Sequence, residues 1–257
     1  MKIGITTYSL SNKDFKEQLS SMLKSGINPD FIILHYGGIH KFSKGFKFIS
    51  KTLKQRRFKS ISFLLSRRKS NPADISPFKL NEEEEKEVNQ FTSSACLIKT
   101  KGINDISTIK TIVALGDMLI ACNSGKLNSK VLNIPNVIFL NVHASKLPMY
   151  RGINNIEWAL WENTDIYATI HKISQGMDEG DILYQKKIDT DKSTLKSISE
   201  YRQYCFLKSN ALMGKALRAY LDKKIFFTKQ EVSKTPLSQY YIMHPILKGY
   251  LQKKLSS

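Results

Sequence analysis

Three short segments that are apolar from end to end, residues 31–34 (FIIL), 118–122 (MLIAC) and 137–140 (VIFL), constrain this chain more than any other feature. A strand with no polar side chain has no face to offer to water, so it belongs in a parallel sheet covered on both sides. The stretches between them have the other period. Phe15, Leu19, Met22 and Leu23 recur at helical spacing, and Ile106, Ile109, Ile112 and Val113 do the same behind Asp105, which can cap that helix. With residues 2–7 as an opening strand, strands and helices alternate, and an α/β doubly wound, mostly parallel sheet is expected. A helix near 154–162, strands near 168–173 and 182–188, and one long helix from about 193 to 221 complete the pattern. Ligands of such a sheet sit beyond the carboxyl ends of its strands, which directs attention to residues 123–125 and 141–145.

Charge narrows the partners. Forty Lys and Arg against 22 Asp and Glu give a formal +18 over 257 residues, which admits phosphates, nucleotides, nucleic acid or an anionic membrane surface. The excess is concentrated: residues 41–69 carry eleven Lys or Arg and no acid, with Phe46, Ile49, Leu53, Phe58, Ile61, Leu64 and Leu65 at helical intervals. A basic helix is expected there, either packed on its own domain or open to phosphates, tRNA or a membrane surface. Cys96, Cys122 and Cys205 form no close pair, so a disulfide framework and a cysteine metal site are not expected, and the setting is read as cytoplasmic. The N-terminus turns polar too soon for a signal peptide, and no stretch reaches the roughly 18 apolar residues of a membrane span. The turn after the first strand, TTYSLSNKDF, lacks the glycines of a dinucleotide site.

Chemistry gathers at the end of the strand at 137–143. Asn141 and His143 are two apart, which in a strand places both side chains on one face. An amide donor beside an imidazole suits acyl transfer, in which an oxyanion develops while a nucleophile loses a proton. An isolated Asn-x-His is just as compatible with a turn or a structural histidine. The next forty residues are more specific. Residues 141–183 read NVHASKLPMYRGINNIEWALWENTDIYATIHKISQGMDEGDIL, and with Asn141, His143, Ser145, Leu147, Pro148, Arg151, Gly152, Thr169, Asp178, Gly180 and Ile182 in order, the chain resembles the formyltransferases that use N10-formyltetrahydrofolate.

The resemblance implies a Rossmann-like formyltransferase fold, with a catalytic domain over 1–190, a basic helical insertion at about 41–80, and a C-terminal extension of a long helix and short tail over 191–257. It implies that Asn141, His143 and Asp178 act as one unit on an amine attacking the formyl carbon, with no covalent intermediate and no metal. It places the folate against Cys122, Asn123, Ser124, Gly125 and Leu127 and against Gly176, Met177 and Gly180, and the acceptor near Ser145, Tyr150, Arg151, Gly152 and His171. His171 either lines that cavity or packs, Arg151 either grips an anion or braces the turn, and His35 and His40 either meet a phosphate or occupy a loop.

Acceptors in the family are methionyl-tRNA, a glycinamide ribonucleotide, or an amino sugar on a nucleoside diphosphate. The tRNA enzymes carry a C-terminal barrel of five strands, on the order of 50 residues, for which the about 36 residues from 222 onward leave little room. The ribonucleotide enzymes have a glycine-rich first loop that is missing here. A dTDP-, UDP- or GDP-linked amino sugar destined for surface polysaccharide is therefore the expected acceptor. Methionyl-tRNA is the alternative, and a homodimer through the tail or the long helix is an expected assembly. A nucleic-acid-binding or peripheral membrane protein with a retired site is the reading from another class, and the intact Asn141, His143 and Asp178 speak against it.

Overall fold

The structure is a computed structural model that describes residues 1–35, 79–191, 193–231 and 239–256. His40 and the basic segment 41–69 lie outside the described residues. The elements in chain order are β1 (Lys2–Thr7), α1 (Lys13–Lys24), β2 (Phe31–His35), α2 (Glu82–Ser94), β3 (Leu97–Thr100), α3 (Ile106–Leu115), β4 (Met118–Cys122), α4 (Ser129–Leu132), β5 (Val137–His143), β6 (Arg151–Gly152), α5 (Asn155–Trp161), β7 (Tyr167–Lys172), β8 (Ile182–Lys187), α6 (Ile198–Asn210), α7 (Met213–Leu221), β9 (Gln239–Tyr240) and α8 (Pro245–Ser256).

Seven strands form one sheet in the order β3-β2-β1-β4-β5-β7-β8. The first five pair in parallel, and β7 and β8 join antiparallel. This is the mostly parallel, doubly wound sheet expected from the apolar runs, and β4 shows why those runs lack polar residues. Leu119 and Ala121 face one core with Ile3, Ile5 and Leu140. Met118, Ile120 and Cys122 face the other with Phe31, Ile33 and Phe139. Each strand side chain is thus covered from one layer or the other, at about 1.5–3 kcal/mol for a fully buried Leu or Ile.

The helices begin where their caps allow. The Asn12 side chain accepts from Phe15 N and starts α1, and Asn81 and Glu84 form a reciprocal capping box on α2. Asp105 occupies the cap position of α3 with no side-chain cap bond, so its expected capping role is not realised. The glutamates of α2 meet α1 through the ion pairs Lys16–Glu85 and Lys24–Glu84.

The expected long helix from 193 to 221 is two helices, α6 and α7, broken at Ala211 and Leu212. The cause is Ser21 on α1. Its hydroxyl donates to Ala211 O at 2.6 Å and accepts from Gly214 N at 3.0 Å, supplying from outside the bonds a continuous helix would make within itself. The close approach needs a residue without a side chain, since a Cβ on Gly214 would stand 1.9 Å from Ser21 O. Met213, Ala216 and Leu217 then pack with Phe15, Leu19 and Met22 in one core. Sequence reading missed β3, α8 and the two-stranded parallel pair of β6 with β9. Among the described residues no helix is long and apolar enough to cross a membrane.

Gly214→Ala tests the α1–α7 contact. Helix propensity alone favours Ala by about 1 kcal/mol, whereas forcing the helices apart costs about 1–3 kcal/mol. Urea unfolding should show net destabilisation, and a gain in stability would mean that the contact relaxes freely.

Candidate active site

Residues 141–143 of β5 run past its pairing with β4 and pair with β7 alone, Asn141 opposite His171 and His143 opposite Thr169. Alternate residues share a face, so Asn141, His143 and His171 converge. Asn141 Nδ2 lies 3.2 Å from His171 Nε2, and the two imidazole rings meet edge to face with centroids 6.0 Å apart. Asp178, on the loop entering β8, completes the cluster: Oδ2 is 3.8 Å from His143 Nδ1, and Oδ1 is 3.8 Å from His171 Nε2. Both separations exceed hydrogen-bond length, so the carboxylate faces the rings electrostatically. Its fixed bond is to the backbone, where Gly152 N–H donates to Oδ2 at 2.8 Å.

The ring nitrogens have distinct duties. His143 Nε2 is held inside the fold, 2.8 Å from Tyr150 O and 3.0 Å from Asn155 Nδ2, which leaves Nδ1 turned towards Asp178. In His171, Nδ1 donates to Lys172 O at 2.9 Å, so Nε2 carries a lone pair that accepts from the Asn141 amide. Burial, and then the neighbouring His143, push His171 down to about 4. His171 therefore stays neutral, orients Asn141 and leaves that amide one N–H to spend elsewhere. It belongs to the cluster itself rather than to an acceptor surface.

A cavity of about 300 Å³ opens at the carboxyl ends of β1, β4 and β5. Of the residues expected to hold folate, Cys122, Asn123, Ser124 and Gly125 line it, beside Asn141. Leu127 does not. It is 5% exposed and packs in the apolar core with Phe31 and Phe139. Gly176, Met177 and Gly180 lie on the Asp178 loop rather than in this lining, with the Met177 side chain exposed. The Cys122 thiol is pushed up by burial and accepts from Thr6 Oγ1, as a buried structural sulfur does.

The acceptor residues read from the sequence are mostly internal braces. Ser145 Oγ donates to Tyr150 O, and Ser145 O accepts from Thr169 Oγ1, both at 2.7 Å. Tyr150 is 1% exposed, stacks on Tyr240 and donates to Glu162. Arg151 is buried and paired with Glu179. Gly152, at φ 103°, is the only residue type that fits there, because a Cβ would stand 2.2 Å from Tyr240 O across the β6–β9 pair. The motif is contiguous in sequence, which suggests one shared surface, whereas Ser145, Tyr150 and Arg151 are buried and only Met149 between them is exposed. His35 closes β2 rather than occupying a loop, with Nε2 2.7 Å from Ser124 Oγ. Burial lowers its affinity for a proton.

Sequence reasoning missed a polar relay on the other wall of the cavity. Gln18 and Asn123 exchange amide bonds of 3.1 and 3.0 Å. Gln18 also donates to Asn210, which donates to Glu17 at 2.7 Å and Asp14 at 3.1 Å. Burial pushes the Glu17 carboxyl up to about 7. Gln18 sits between the apolar positions of an amphipathic helix and Asn210 at a helix end, where no pattern marks either.

Comparison with known proteins places this geometry. The formyl transferase family model matches residues 47–212, and the chain belongs to that family. The methionyl-tRNA formyltransferase of Methylacidiphilum infernorum (isolate V4) is 36% identical over 95 residues, covering 36% of this chain and 30% of that protein. The enzyme of the same name from Prochlorococcus marinus (strain MIT 9215) is 33% identical over 125 residues, 48% of this chain and 37% of its own. The matched segment thus spans about a third of the length of these curated relatives. Among solved structures, a sugar N-formyltransferase from Shewanella sp FDAARGOS_354 superposes with a TM-score of 0.52 at 14% identity, over 93% of this chain and 76% of its own. An N-formyltransferase from Helicobacter canadensis, in complex with folinic acid and dTDP-3-aminofucose, gives 0.52 at 14% identity, over 93% and 70%. At such identities the likeness is one of fold.

The His171 assignment has a direct spectroscopic consequence. Its folded-state value lies below the roughly 6.5 of an unfolded histidine, so the unfolded chain binds the extra proton, and this contribution to stability is lost as pH falls from about 6.5 towards 4. Ring nitrogen NMR should find His171 neutral, with Nδ1 protonated, from pH 8 down to about 5. A ring that titrates near 6.5 would remove its role as the acceptor for Asn141.

Proposed function

We propose that this chain transfers the formyl group of N10-formyltetrahydrofolate to the amino group of a nucleotide-linked amino sugar. The observation that carries the reading is the convergence of Asn141, His143 and Asp178 beside a polar cavity at the carboxyl ends of parallel strands. The formyl donor is already an activated amide, so the acceptor amine attacks it directly. As the new C–N bond forms, the carbonyl pair moves onto oxygen, and the Asn141 N–H not engaged by His171 donates to that oxyanion. His143 takes the proton from the attacking nitrogen at Nδ1, and the Asp178 carboxylate steadies the imidazolium. The proton then passes to N10 as the C–N10 bond breaks, leaving a formamide and tetrahydrofolate. The folate rests against residues 122–125 and the 176–180 loop, where Gly176, Met177 and Gly180 offer backbone and thioether surface.

The amino-sugar acceptor is supported by fold likeness over 93% of the chain to a sugar N-formyltransferase and to an N-formyltransferase in complex with folinic acid and dTDP-3-aminofucose. An aminoacyl-tRNA acceptor is the second reading, favoured by the sequence relatives. Mass spectrometry of reactions with N10-formyltetrahydrofolate and either a panel of nucleotide amino sugars or methionyl-tRNA separates the two. A gain of one formyl group on a sugar nucleotide supports the first, formylation of methionyl-tRNA alone replaces it with the second, and no product in either ends both.

His143→Ala and Asp178→Asn should each lower kcat by about 10²- to 10⁴-fold, with unchanged circular dichroism. Wild-type turnover in both variants would dismiss the mechanism.

A further inference from the structure

Asp178 stands at φ 56°, in the left-handed region that few residues with a side chain adopt, Asp and Asn more readily than the rest. Gly152 N–H holds its carboxylate, and Arg151 holds its neighbour Glu179. The third hold comes from a distant segment. Gln230 Nε2 donates to Asp178 O at 3.0 Å and to Gly180 O at 2.5 Å, so a single amide group spans the loop's main chain on both sides of Glu179. Both partners are carbonyl oxygens, which fixes the amide with its NH₂ towards the loop. The segment bearing Gln230 is itself anchored to β8: Thr228 and Ile182 exchange two backbone hydrogen bonds of 2.8 Å.

Two further facts set Gln230 apart from packing. It is 7% exposed. Its Oε1 is buried with no hydrogen-bond partner among the described residues, an arrangement that an apolar side chain of the same length would avoid. The amide is kept there despite an unsatisfied oxygen, and what it supplies in return is the pair of N–H groups on the Asp178 loop.

We propose that Gln230 is a positioning residue for Asp178: by bridging the carbonyls of Asp178 and Gly180 it holds the loop in the left-handed turn that aims the carboxylate between His143 and His171. The kinetic consequence rests on the formyl-transfer reading, while the conformational one does not. Gln230→Met keeps the length and removes both donors. Gln230→Asn keeps the donors and, one methylene shorter, reaches at most one carbonyl.

The test combines backbone amide exchange, read by mass spectrometry, with formyl-transfer kinetics. Gln230→Met should speed exchange in peptides covering residues 174–182 by about tenfold or more while peptides in β1 and β4 keep their protection. It should lower kcat by about 10- to 100-fold, with Gln230→Asn between it and wild type. On an Asp178→Asn background the same change should lower kcat no further, because a residue that acts only through Asp178 has nothing left to position. Wild-type exchange in the loop of a cooperatively melting Gln230→Met protein would overturn the proposal. So would a loss of kcat that multiplies in full on the Asp178→Asn background. Should Gln230→Met fail to fold, Gln230→Asn carries both readouts. Should wild type formylate no acceptor, the functional reading falls and the exchange measurement alone decides the role of Gln230.

Discussion

The overhang of β5 beyond β4 is the constraint on which the site depends. β4 pairs with β5 only as far as Leu140, and from there the last residues of β5 are covered by an antiparallel neighbour instead. Where β4 stops, the sheet has a step, and the cavity occupies that step with Asn141 at its edge. The residue types follow the geometry. The chain from 137 to 140 is apolar because it is sandwiched between two cores, and polar side chains begin at 141, the first position at which one face meets the step.

Around the step many polar groups are assigned to one another, although Asn155 Oδ1 is buried with no hydrogen-bond partner among the described residues. Thr169 ties itself to Ser145, Ser145 and His143 share the Tyr150 carbonyl, and Asn155 reaches both Gly152 O and His143. Buried polar groups are costly unless paired, so such a web settles on one arrangement, which is what orientation-dependent chemistry needs. The web also holds two histidines 6.0 Å apart beside one carboxylate, with His171 kept neutral by its burial.

Much of this is legible in the sequence, for identifiable reasons. Short runs apolar on both faces, bounded by turn residues, fit central parallel strands, so β2, β4 and β5 are legible, and Asn141, His143 and Asp178 lie within a long ordered motif. β3 escapes because LIKT is four residues at the sheet edge with Lys99 exposed, too short for a period to emerge. The break between α6 and α7 escapes because its cause, Ser21, is 190 residues away from Ala211. The burial of Tyr150 against Tyr240 is not legible, because a motif records which residues occur together and not which way each one points. Gln18, Asn210 and Gln230 carry amides whose partners are set by tertiary approach alone, and no spacing rule reaches them.

The two-residue pairing of β6 with β9 brings Arg151 and Gly152 against Gln239 and Tyr240. Asn141, His143 and His171 are brought together by the pairing of β5 with β7, whereas Gly152 is braced from a distant segment of the chain. Alignment and chemistry are thus supplied by different stretches of the chain.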